Sequence, residues 1–243
     1  MDGAIDDVLI YNTVLDSVTI ASLFSLNDWE GPTLTDNRDG RVYKKVHIGA
    51  QVWMAENLAY LPQVDNSSAG SEDVADGKYY YVYDYTPTGA SENDEIANAK
   101  TTENYQTYGV LYNWYAAMDG ASSSNSSPSG VRGVCPEGWH IPSDTEWTEL
   151  ENTVGNSSIA GAILKARSIN GTDDYAFSVL PAGNRSGNGA FNYLDSNAYF
   201  WSATESNATN AWYRRLHSDE DGLYRVNYYQ YYGLSVRCLK NEE

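Results

Sequence analysis

Apolar and polar positions change period several times along this chain, and the changes mark its elements. Residues 4–11, AIDDVLIY, alternate as a strand, and 15–26, LDSVTIASLFSL, carry helical spacing begun by Asp16 or Ser17. Residues 29–35 read as a linker broken by Gly31 and Pro32. The stretch TLTDNRDGRVYKKVHIGAQVWMAENLAY then predicts a hairpin series that turns at Asp39-Gly40 and again around Gly49-Ala50. KYYYVYDY, with five tyrosines between Tyr79 and Tyr85, predicts a strand with tyrosines on both faces. Leu111, Trp114 and Tyr115 share helical spacing, so Tyr108 to Met118 is expected as a buried helix. Asp119 to Gly130 is expected as a mobile polar loop.

The segment Cys135 to Leu150, CPEGWHIPSDTEWTEL, combines more signals than any other. Pro136 and Gly138 set a turn, and Ser143 with Glu146 three residues on forms a capping box. Trp147 and Leu150 follow on one helical face. GAILKARS reads as a further short helix, and FSVLPAGNR as an apolar run stopped by Pro181 and Gly183, with a loop holding Phe191 after it. From there the pattern is strands and turns: 199–204, 211–218, 223–230 and 233–240, with Asp221-Gly222 between the second and third. Leu234, Val236 and Cys238 alternate onto one inward face.

Composition narrows the function. The net charge of −18 excludes duplex DNA or RNA as a partner, because phosphate binding needs a basic surface. No apolar run reaches the length of a membrane span, so no membrane insertion is expected. No basic, apolar leader opens the chain, which suggests that Met1 begins a fragment. Cys135 and Cys238 are the only cysteines. Their placement favours a disulfide, an oxidising compartment and hence a secreted or cell-surface protein.

Tyrosine outnumbers phenylalanine 21 to 4, and tyrosine offers a large, stiff, amphipathic face at low entropy cost. Five tyrosines fall between residues 224 and 232, too many to bury when each hydroxyl needs a partner. The expected ligand face is therefore Tyr213, Arg214, His217, Asp219, Tyr224, Asn227, Tyr228, Tyr229, Tyr231 and Tyr232, while Trp212 alternates toward the core.

Catalytic and metal chemistry find little support. The three histidines sit in separate segments without metal-ligand spacing, and His140 reads as a structural residue of its turn. Asp36, Asn37 and Asp39 lack the bidentate acid of an EF-hand and read as a turn. No catalytic residue, metal or cofactor is assigned.

Two resemblances enter at this point. GAIDDVLIYNTVLDSVTIASLF resembles the closing strand and helix of laminin-G-like, concanavalin-type domains, which implies that residues 1–28 are the remnant of a preceding domain. A strand and helix private to this domain is the alternative. The ordered motifs TDxRDGxxYxxVxIGxQxWMAENL at 35–58, YGxLYNWxAA at 108–117, CPxGWHxPSDxEW at 135–147, LPAGxR at 180–185, FWSAT at 200–204 and SVRC at 235–238 closely resemble the Fibrobacter succinogenes major paralogous domain. That resemblance places the domain at 36–243 and implies an α+β, C-type lectin-like fold, akin to formylglycine-generating enzymes and to the variable proteins of diversity-generating retroelements. It implies a secreted or surface-exposed recognition or adhesion module whose partner is a protein or a glycan. The alternatives are a structural module binding partner subunits and an enzyme of the formylglycine-generating type, which needs reactive thiols. Calcium-dependent sugar binding is not implied, since no Glu-Pro-Asn or Trp-Asn-Asp motif occurs.

Overall fold

The computed structural model describes residues 33–70 and 77–242, which belong to one compact unit. The strand and helix expected over residues 4–26, and with them the laminin-G-like reading of 1–28, lie outside the described residues. The architecture is α+β, with small, mostly antiparallel sheets and short helices.

The predicted hairpin series is present. Strands β1 (Thr33–Thr35), β2 (Val42–Ile48) and β3 (Gln51–Met54) pair antiparallel through turns at 36–41 and 49–50, and β1 occupies residues expected as linker. Asp36 is fully buried as the hub of the first turn, held by the Arg38 guanidinium at 2.6 Å. That hydrogen-bonded pairing draws its carboxyl below the ordinary range against the opposing effect of burial. This sheet continues through β12 (Leu239–Lys240) to β6 (Trp139–His140), giving the order β1-β2-β3-β12-β6.

Two expected elements are broken up. Strand β4 is only Tyr80–Tyr81, because the chain turns and Asp84 adopts a φ of 58°. The tyrosines meant for its two faces, Tyr80, Tyr81 and Tyr83, are instead all buried. The helix expected over 108–118 is divided. Helix α1 (Glu92–Lys100) is followed by α2 (Glu103–Tyr108), which ends at Gly109 with a φ of 75°. Strand β5 (Leu111–Tyr112) and helix α3 (Trp114–Met118) then follow, the latter capped by the Asn113 side chain. A Cβ at Gly109 would lie 2.7 Å from the Leu58 carbonyl oxygen, so the backbone passes where only glycine fits.

The polar loop after α3 is fastened rather than free: Ser124 N–H donates to Ala203 O, Glu205 N–H to Ser123 Oγ, and the Thr204 hydroxyl to Ser124 O. Helix α4 (Asp144–Thr153) carries the predicted capping box, with Trp147 and Leu150 fully buried. His140 bridges the box, its Nε2 lying 2.8 Å from Glu146 Oε1 and its Nδ1 2.8 Å from Asn241 Oδ1. Helix α5 (Ala160–Leu164) and a 3-10 turn (Arg167–Ile169) come next.

The run expected to stop at Pro181 and Gly183 instead continues as strand β7 (Ala182–Arg185), which pairs with β8 (Phe191–Leu194) across the Gly/Asn loop. Three long strands follow, β9 (Asn197–Asn207), β10 (Asn210–His217) and β11 (Leu223–Tyr229), in the order β11-β10-β9. The last expected strand is regular only at β12, although Leu234, Val236 and Cys238 are inward as predicted. Ser235 and Arg237 are buried as well, since this segment runs between two core clusters, Leu234, Val236 and Cys238 in one and Arg237 over Phe177 and Phe200 of the other.

Cys135 and Cys238 form the disulfide, with a Cα–Cα distance of 5.9 Å inside the larger core cluster. Three fully or almost fully buried arginines, Arg185, Arg214 and Arg237, stitch the layers. Arg237 donates to Asn57 Oδ1 and to the Phe177 and Ser178 carbonyls while facing the Phe177 ring. Burial brings its guanidinium down to about 9.

Candidate functional site

Strand alternation decides which tyrosines meet. On β10 the side chains of Tyr213, Arg215 and His217 share one face, and opposite them on β9 stand Trp201, Tyr199 and Asn197. Across β11 the same face continues with Tyr224 opposite Arg215 and Tyr228 opposite Ala211. The β7–β8 hairpin supplies Asn184, Asn192 and Tyr193 to the other wall, and the segment after β11 contributes Tyr232. Between them lies an open cleft of about 360 Å³.

Local fixtures hold this wall in place. Arg185, on β7, donates to the Ser67, Ala69 and Gly70 carbonyls and to Tyr231 O at 3.2 Å, and its backbone pairs with Gly233. The 231–233 turn is thereby tied to the hairpin. A Cβ at Gly187 beside it would approach the Tyr231 ring to 2.3 Å, so a larger residue there would displace that ring.

The aromatic lining falls into two groups of touching rings. Tyr193 and Tyr199 lie 6.3 Å apart between ring centroids, Tyr199 and Tyr213 5.9 Å, and Tyr228 and Tyr232 4.5 Å. Burial pushes the Tyr199 phenol up and that of Tyr213 to about 12. Burial, then the hydrogen bond with Tyr228, raises Tyr232 as well. These hydroxyls are therefore neutral over the biological pH range and offer both donor and acceptor. Tyr199 accepts from Asn197 Nδ2 at 2.7 Å, leaving its own proton for donation.

Two polar atoms of the lining have no partner. Asn184 is 6% exposed, yet its Oδ1 makes no hydrogen bond and is out of contact with solvent; Arg215 Nε is in the same condition. Arg215 makes no ion pair among the described residues and only lies over the Tyr224 ring, 5.6 Å from its centroid. An unpaired buried polar group costs about 1–3 kcal/mol, so a partner for either atom recovers that cost.

Of the ten residues expected on the ligand face, Tyr213, His217, Tyr228 and Tyr232 line the cleft. Tyr224 stands beside His217, the ring centroids 5.9 Å apart. Tyr229 and Tyr231 stack on one another at 5.0 Å and touch Tyr228 and Tyr232. Asp219 is exposed, and its carboxylate, that of Glu220 and a ring nitrogen of His217 lie within 4.8 Å of one another, a trio able to hold a metal ion. Arg214 and Asn227 alternate onto the opposite face. Arg214 is fully buried there, bound to Glu151 Oε1 and Asp144 Oδ1 at 2.5 Å each, and Asn227 accepts from Asn210. Trp212 shares that face and is half-buried under Arg225, whose guanidinium lies 3.3 Å from the ring centroid; Tyr213, its neighbour, takes the buried place.

Sequence reasoning missed Asn184, Asn192, Tyr193, Asn197 and Tyr199, and did not include Arg215 among the ten residues it assigned. The alternation of Asn197 and Tyr199 with Trp201 was the available signal for β9. The hairpin residues carry none, because only tertiary packing brings them to the cleft.

A second cavity, of about 500 Å³, lies near Arg38, Tyr60, Asp119 and Arg132. Arg38 is fully engaged there, on Asp36, on the Val134 carbonyl and over the Tyr60 ring.

Together these features define a disulfide-stapled α+β domain with an aromatic cleft on its C-terminal sheet. Residues 46–240 match the model of the Fibrobacter succinogenes major domain, and the chain belongs to this bacterial family. No curated protein and no solved structure matches the chain. Among the described residues no helix is long and apolar enough to cross a membrane.

Proposed function

We propose that this domain is a non-catalytic, extracellular ligand-recognition module of C-type lectin-like fold, with its ligand site at the tyrosine-lined cleft and the adjoining β11 surface. The observation that carries this reading is the cleft itself: a concave, aromatic wall bearing polar atoms without partners. Small-ligand sites are built in this way, with apolar or aromatic walls and a few convergent polar groups. Tyr224, Tyr228 and Tyr229 stand 37%, 40% and 42% exposed next to it, so the recognition surface extends outward along β11. A surface of this kind also suits sequence diversification, since its solvent-facing positions are not constrained by the core. The engagement of both thiols in a disulfide supports an exported, non-catalytic domain over an enzyme of the formylglycine-generating type.

The test is binding of the purified protein to a glycan array and to a panel of surface proteins, beside a variant with Tyr228, Tyr229, Tyr231 and Tyr232 all changed to alanine. Binding that disappears while the circular dichroism spectrum is unchanged supports the assignment. Binding that persists in the folded variant sinks it.

A further inference from the structure

The cleft is electrostatically unlike the rest of the molecule. The chain carries 33 acidic residues and a net charge of −18, yet none of the side chains lining the cleft is acidic. Its one permanent charge is Arg215. The nearest acids at the His217 end, Asp219 and Glu220, are exposed and belong to the loop after β10. Arg214, one residue away, shows the contrast, since its guanidinium is consumed by two carboxylates. Arg215 has no such tether, so it is free to rotate toward a ligand and lacks the carboxylate that its planar fork matches.

Asn184 supplies the complementary requirement. Its unpartnered Oδ1 calls for an O–H or N–H donor and Arg215 Nε for an acceptor; both atoms are closed to solvent, so each side chain has to turn into the cleft to meet a ligand. A ligand answering both carries an anionic acceptor and a hydroxyl on one small frame. Tyr193, Tyr199, Tyr213, Tyr228 and Tyr232 line the same cleft, and their rings offer flat faces for the C–H side of a pyranose. A volume of about 360 Å³ lies at the small end of ligand sites, roughly 300–1,000 Å³, and suits one ring rather than a chain.

We propose that the cleft is a subsite for a single carboxylate-bearing sugar residue of an acidic glycan, its carboxylate on Arg215, a hydroxyl on Asn184 and its ring face on the tyrosine wall. This rests on the recognition reading above and narrows the ligand from glycan or protein to a hexuronate or related sugar acid. A protein partner would instead have to place an acidic side chain in the cleft, and the test separates the two.

The experiment is titration of the purified protein, by calorimetry and by NMR of its tyrosine rings, with methyl glucuronide, methyl galacturonide, methyl sialoside and the neutral methyl glucoside and galactoside. At least one acid sugar is expected to bind ten-fold or more tighter than its neutral counterpart. Arg215→Gln should erase that ratio, Arg215→Lys should reduce it because an ammonium keeps the charge without the bidentate fork, and Asn184→Ala should weaken acid and neutral sugars alike. Thermal unfolding of each variant checks that the fold survives. Equal binding of neutral and acid sugars, or an acid preference that survives Arg215→Gln, overturns this proposal and leaves a sugar-recognition site standing. If no sugar shifts the cleft tyrosines, the sugar-acid proposal fails. Should a surface-panel protein then bind in a manner sensitive to the tyrosine variant, the recognition reading survives with a protein ligand; should nothing bind, both fail.

Discussion

Replacing Arg214 with methionine tests the electrostatic account of how the β10 sheet is held to helix α4. Arg214 is fully buried and donates from Nε to Glu151 Oε1, from one terminal nitrogen to Asp144 Oδ1, and from the other to the Asp144 carbonyl and the Thr148 hydroxyl. Methionine keeps much of the volume and removes the charge. Breaking a buried pair by deleting one partner costs about 3–5 kcal/mol, because the remaining charge is left uncompensated. Asp144 keeps a partner, since Arg225 Nε lies 2.8 Å from its Oδ2, so Glu151 is the orphan and the loss should fall near the low end, about 3 kcal/mol at pH 7. For a domain of this size that lowers Tm by roughly 6–12 °C. The pH dependence is diagnostic. Burial raises the Glu151 carboxyl above its ordinary value, with Arg214 pulling it back; removing Arg214 raises it further. A carboxyl raised in the folded state lowers stability as pH climbs from its ordinary value through the folded one. The variant should thus lose more relative to wild type at pH 7 than at pH 4. Urea unfolding followed by tryptophan fluorescence at both values measures this. A loss under about 1 kcal/mol at pH 7, or an equal loss at pH 4, would refute the reasoning.

Two further outcomes follow from the scaffold. The Cys135–Cys238 bridge spans a separation of 103 residues, so its removal in a Cys135→Ser, Cys238→Ser double variant should cost about 4–5 kcal/mol in the chain-entropy model, read as a lower urea midpoint that reductant no longer changes. Glu95 accepts from the Tyr85 and Thr88 hydroxyls and from the Thr88 and Ala90 amides, which hold its carboxyl at about 2. A depressed carboxyl contributes stability that is complete above its ordinary value, near 4.5, and is lost as pH falls toward about 2. The stability gap between wild type and Glu95→Gln should therefore shrink between pH 5 and pH 2 in acid unfolding followed by circular dichroism; a constant gap would contradict the assignment.

Local chemistry was legible wherever a few adjacent residues settle the outcome. The Asp39-Gly40 turn and the Ser143–Glu146 capping box are decided by residues within a few positions of one another, and each is where it was expected; β9 to β11 are strands as expected, but their faces are exchanged, with Tyr213 rather than Trp212 buried. The two broken elements share one cause. Tyr79 to Tyr85 has strand propensity, and 108–118 has helical spacing, but both pass through the core beside other segments. There the bond from Val110 N–H to Leu58 O, and those of the Asn113 amide with Gly77 O and Tyr79 N–H, override local preference.

The cleft shows how far composition can lead toward a site. Tyrosine density drew attention to residues 213–232, and strand alternation then sorted them: with Tyr213 on the cleft face, Arg215 and His217 must follow, and Arg214 must turn to the helix. Arg214 and Arg215 are chemically identical in the sequence, yet one is spent on two carboxylates and the other has none, a difference set by α4 and its Asp144 and Glu151 some 60–70 positions away. Asn184 is equally silent in sequence, because its significance lies in a missing hydrogen bond. The strongest pointers to a ligand are thus unsatisfied atoms, and such vacancies become visible only when every neighbour has been placed.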